Sequence, residues 1–150
     1  MIKESGKFVG KITLVHVITY IACGMVAMTL FHYQSSLSQA GMRDTNSLIV
    51  GLAPVFQIVR GALFGIVLWL FKKSFIHSKY GWLMIWTMIL IIGIFNTPAT
   101  APGSIEYFIY YEPTEFWNLE IGGMLEILIQ TFLFSFISFY WVRPKDKQGR

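Results

Sequence analysis

Apolar residues run almost unbroken through four stretches of the chain, roughly 12–31, 48–71, 82–101 and 119–142, and the charged residues collect between them. A helix of ~20 residues crosses a ~30 Å hydrocarbon core at ~1.5 Å per residue, and each stretch meets that length. Backbone N–H and C=O groups in lipid must be satisfied within the segment, which selects helices over open strands. Barrel strands would alternate polar and apolar residues, and these stretches do not. The pattern predicts an all-α fold, an integral membrane four-helix bundle in one domain spanning residues 1–150.

Punctuation along the chain refines this. The first connection is polar, with Gly41 and Asp44 as loop signals. Pro54 interrupts the start of the second stretch, so that helix either kinks there or starts late at the proline. Gly61 and Gly65 form a small-xxx-small pair that permits close helix approach, within the chain or at a dimer seam. Pro98 and Pro102 end the third stretch. Ser104 then caps a short helix over 105–111, with Glu106 in its first turn, where a carboxylate is favoured. That helix precedes the last span and is expected to lie along the outer interface.

Composition agrees with the membrane class. The chain is 55% hydrophobic and 17% aromatic but only 13% charged, where a soluble domain carries about 25% charged residues. The net charge of +4 is a topology signal, because of where the bases lie. Lys3, Lys7 and Lys11 precede the first stretch, Lys72, Lys73 and Lys79 follow the second, and Arg143, Lys145, Lys147 and Arg150 follow the fourth. The connection 102–118 has no base, and 32–47 has only Arg43. The positive-inside rule then predicts a multi-pass protein of the cytoplasmic membrane with both termini inside. No aromatic-basic module accompanies the charge, so nucleic acid is not an expected partner.

Two processing signals compete with a first span. The basic start followed by 12–22 and Cys23-Gly24 resembles a bacterial lipoprotein signal, although Tyr20 stands where such signals usually carry Leu. Ser38-Gln39-Ala40 is a small-x-small site. Signal h-regions are about 7–15 residues long, whereas apolar sequence here continues to Phe31, so an uncleaved span is expected. The lone Cys23 excludes an intrachain disulfide.

Trp82–Trp86 and the segment Ala101-Pro102-Gly103-Ser104-Ile105-Glu106 resemble a group of uncharacterised four-span bacterial membrane proteins. The resemblance covers the C-terminal half and implies four spans but no activity.

The candidate chemistry lies in polar residues placed where lipid should exclude them. Arg60 falls near the middle of the second span, where an arginine costs at least ~2.5–3.5 kcal/mol on insertion scales and normally faces inward to a partner. Glu126 in the fourth span is the obvious partner. Gln57 shares a face with Arg60, Gln130 with Glu126, and His16 with Tyr20. Depths estimated from the span edges place Gln57 near Glu126 and Arg60 near Gln130, which predicts one polar core of six residues. Ser135 and Ser138 are expected to bond back to helix carbonyls. On the outer side, Glu106, Tyr107, Tyr110 and Glu112 form a second candidate, a carboxylate and aromatic surface for a cationic group.

Catalytic and metal motifs are missing: no HExxH, GxSxG or paired-aspartate pattern occurs, and His16 is the only span histidine. No enzymatic activity, cofactor or metal is expected. The expected function is an accessory or lipid- and ligand-associated membrane protein, whose partners are membrane lipid and a further copy or a partner subunit. The alternative is a small oligomeric proton-coupled transporter using Glu126. Small multidrug exporters offer the comparison, but their glutamate lies in the first span, where this chain has none.

Overall fold

A computed structural model describes residues 2–32, 43, 46–97, 103–110 and 117–144. Every element among them is helical: α1 (Ile2–Phe31), α2 (Leu48–Gly51), α3 (Ala53–Leu70), α4 (Lys72–Phe75), α5 (Gly81–Met88) running into a π-helical segment (Ile89–Phe95), α6 (Ile105–Tyr110) and α7 (Trp117–Val142). Three are long and apolar enough to cross a membrane: Lys3–Phe31 of α1, α3, and Ile121–Val142 of α7.

Local chemistry sets the boundaries. α1 starts well before the apolar run, with Glu4 in its first turn against the positive end of the helix dipole. It stops at His32, whose φ of 49° is left-handed and whose N–H bonds the Met28 carbonyl at 3.2 Å. The second apolar run is broken rather than kinked. Ser47 caps the single turn α2 by accepting the Val50 N–H, and α3 begins afresh at Ala53 with Pro54 in its first turn, where a missing N–H costs nothing. The third run is shorter than its predicted 82–101, giving one helical stretch, Gly81–Phe95. Its end is widened into π geometry, closed by Asn96 N–H to the Ile91 carbonyl at 2.8 Å. Pro98 biases Thr97 away from helical geometry just beyond. Ser104 caps α6 as expected, its Oγ accepting the Tyr107 N–H at 3.1 Å.

Contacts between helices establish their directions. α1 lies antiparallel to α3, Thr13 meeting Gly61 and Val9 meeting Gly65. It is also antiparallel to α7, with Phe31 over Gly122, Gly24 beside Glu126 and Lys11 beside Trp141. α5 is antiparallel to α7, Gly81 meeting Phe139 and Trp86 meeting Phe132. Among these long helices the extensive contacts join α3 to α1, α1 to α7 and α7 to α5. The described helices thus form a cluster of α1, α3 and α7 with α5 flanking α7.

α1 and α3 approach each other closely. A Cβ on Gly61 would stand 2.9 Å from the Thr13 Cα, and one on Gly65 2.9 Å from the Val9 Cα. Only glycine lets the two backbones come so near, so this motif is spent inside the chain.

The main core gathers at the end that carries Lys11, Lys72 and Arg143. It comprises Phe8, Ile12, Val15, Leu68, Phe75, Ile76, Ile85, Phe134 and Phe139. Lys72 lies over the Trp69 ring at 4.6 Å and Arg143 over the Phe139 ring at 5.5 Å, covering this end with bases. Toward the other end the described residues form a smaller cluster, around Ala27 with Met28 and Phe31. Large apolar side chains face outward along all the long helices, including Leu30, Leu63, Leu70, Ile92 and Ile129.

Candidate functional site

His16 is the centre of the helix cluster. It is buried on α1, and its Nε2–H donates to the Gln57 Oε1 on α3 at 3.0 Å. Two phenylalanine rings wall it in edge-to-face, Phe64 from α3 at 5.1 Å and Phe134 from α7 at 5.6 Å. Those two rings also touch each other, 5.5 Å between centroids, so three helices meet on one imidazole. Tyr20, one turn along α1, is half-buried with its ring 6.3 Å from His16. This arrangement satisfies a buried donor and an acceptor in apolar surroundings, and it fixes the register of α3 on α1.

Arg60 does not join that interior. It is exposed on α3, with its guanidinium 5.7 Å from the Phe64 ring. Its charge is felt at the His16 ring. Among the described residues it makes no ion pair with Glu126. Its neighbours on the helix surface are Phe56, Val59 and Leu63, all more than half exposed.

Glu126 is half-buried on α7 and points at α1. Its Oε1 lies 3.4 Å from where a Cβ on Gly24 would stand, and its charge is felt at the Cys23 thiol. Gln130 is buried one turn along. The expected single core of six residues is thus divided. Phe134, not Glu126, stands level with His16 and Gln57, eight residues further along α7, or ~12 Å. Depths counted from span edges misplace the register: Gly61, next to Arg60, stands level with Thr13 of α1, whereas Glu126 stands level with Gly24.

No known protein family, curated protein or solved structure matches this chain. The site must be read from its own geometry.

Other tethers were not foreseen. The Trp86 indole N–H donates to Thr131 Oγ1 at 3.3 Å, tying α5 to α7. Phe64 and Phe134 were overlooked as well, although Phe64 recurs at helical spacing after Gln57 and Arg60, and Phe134 follows Gln130 by one turn. Thr13, Thr19 and Thr131 bond back to the carbonyl four residues earlier at 2.7–2.9 Å. Ser135 and Ser138 do not, contrary to expectation: both hydroxyls are fully buried without a hydrogen-bond partner.

On the outer-side candidate, Glu106 and Tyr107 are half-buried, Tyr110 is 72% exposed, and Glu112 lies outside the described residues. Gly103, two residues before α6, lies against Met124 of α7. Among the described residues no three His, Cys, Asp or Glu side chains converge into a metal site.

Proposed function

We propose that this chain is an accessory subunit of the bacterial cytoplasmic membrane, crossing it four times with both termini inside and working through association rather than catalysis. The observation that carries the reading is that the interior polar pair is closed off. His16 and Gln57 satisfy one another between two phenylalanine rings, which locks helices together and leaves no reacting group in the interior they occupy. Antiparallel packing supports the topology, since it gathers Lys11, Lys72 and Arg143 at one end of the helices. The short α5 stretch makes the remaining crossing in this reading, consistent with the resemblance to four-span proteins.

Mild extraction into lipid nanodiscs followed by native mass spectrometry tests it. The expected result is the chain in stable complex with a different membrane protein. A lone chain or a pure homo-oligomer overturns it.

A second reading, a proton-coupled carrier, draws on one feature: a half-buried carboxylate, Glu126, within an apolar helix against α1. It requires Glu126-dependent proton release from proteoliposomes on adding cationic or anionic solutes. Release unchanged in Glu126→Gln excludes it.

A further inference from the structure

Arg60 presents a problem that the chain itself does not solve. It is the eighth of eighteen residues in α3, ~10 Å from one end of that helix and ~15 Å from the other. Neither distance is bridged by one extended arginine side chain. Helical side chains lean toward the N-terminus, so an arginine seeking the membrane surface would reach back toward Ala53. The guanidinium instead packs on Phe64, one turn in the other direction. Around it, Phe56, Val59 and Leu63 present a broad apolar face that none of the described helices covers.

Resting on the accessory reading above, we infer that this face of α3 docks a transmembrane helix of a different protein, and that the helix carries an Asp or Glu at the depth of Arg60. Charge complementarity selects this occupant. A cation surrounded by apolar side chains in a low-dielectric medium binds most strongly to an anion that needs no displacement to reach it. A carboxylate on a neighbouring helix meets that condition. A phospholipid phosphate does not, since it belongs at the headgroup level and Arg60 is turned away from the nearer end of α3. A second copy in the same orientation fails on register. Its Glu126 stands level with Gly24 of α1, whereas Arg60 adjoins Gly61, which meets Thr13. Eleven residues of α1 separate those levels, ~16 Å. Phe56, Val59 and Leu63 then supply the flanking packing, and the Phe64 ring holds the guanidinium in place for the incoming anion.

The test uses the full chain in phosphatidylcholine vesicles and synthetic single-span Leu/Ala peptides that quench its tryptophans. One peptide carries Glu at the depth of Arg60, one carries Gln there, and one carries the Glu eight residues away. The expected result is half-saturation by the depth-matched Glu peptide at no more than a tenth of the density needed for either control. Arg60→Leu should abolish that preference and Arg60→Lys should keep part of it. Circular dichroism checks that the variants remain helical, and the displaced-Glu comparison on the unaltered chain stands even if they do not. Equal binding of all three peptides overturns the inference, as does a Glu preference that survives Arg60→Leu in a helical variant. Without a Glu preference, Arg60-dependent retention of phosphatidylglycerol overturns it in favour of lipid, and Arg60-dependent self-association in favour of a second copy. The two readings fail separately. Complexes lacking any foreign chain remove the accessory reading while the peptide preference stands, and indifferent peptides remove the carboxylate partner while a foreign subunit is still found.

Discussion

The two faces of α3 reverse the rule that governs soluble helices. The face turned to α1 carries Gln57, Gly61, Gly65 and Leu68, with a single large aliphatic residue among them. The adjoining face carries Phe56, Val59 and Leu63, all exposed, with Arg60 on its edge toward Gln57. In water the apolar side would be inside. In lipid, tails are as apolar as leucine, so bulk apolar surface gives no reason to pair helices. Close backbone approach and satisfied polar groups do, and both lie on the α1-facing side. By that logic the outward face needs no partner except at one position, Arg60, where lipid is a poor neighbour.

Breaking the α1-facing side should have the largest effect. Gly65→Leu forces a side chain into the Val9 backbone, and a loss of about 3 kcal/mol in helix association is expected. Reversible unfolding in mixed detergent micelles, followed by far-UV circular dichroism, measures it. A change within experimental scatter would mean that the glycine contact does not hold α3 on α1. Next comes the polar pair. His16→Leu leaves the Gln57 carbonyl without its donor among aromatic rings, for an expected loss of ~1–2 kcal/mol. A double-mutant cycle with Gln57→Leu should return a coupling of about 1 kcal/mol, and strictly additive single effects would show that the two side chains do not act together. The smallest effect belongs to the other face. Arg60→Leu should leave helix association in the isolated chain within ~0.5 kcal/mol, because Arg60 is exposed there. A loss near that of His16→Leu would assign Arg60 an interior role and erase the contrast between the faces.

The sequence already showed much of the fold. The end of α1 at Phe31, the extent of α7, the restart near Pro54 and the Ser104 cap all follow from local signals: hydropathy, a missing N–H and a hydroxyl before a helix. The candidate site was legible only in part. His16 and Gln57 stand out in the sequence, but as members of a six-residue core with Tyr20, Arg60, Glu126 and Gln130. Helical spacing tells which residues share a face of one helix. It does not tell which face of one helix meets which face of another.

Composition and periodicity by themselves determined that this chain is helical and apolar enough to cross a membrane, because backbone hydrogen bonding and hydrocarbon thickness act on each segment alone. Only the tertiary structure decided that Gly61 and Gly65 are used within the chain, that His16 bonds Gln57, that Glu126 faces Gly24 and that Arg60 faces outward. Those outcomes depend on helix register and rotation. A shift of one turn, or a rotation through part of one, leaves every local signal unchanged while exchanging a buried partner for lipid.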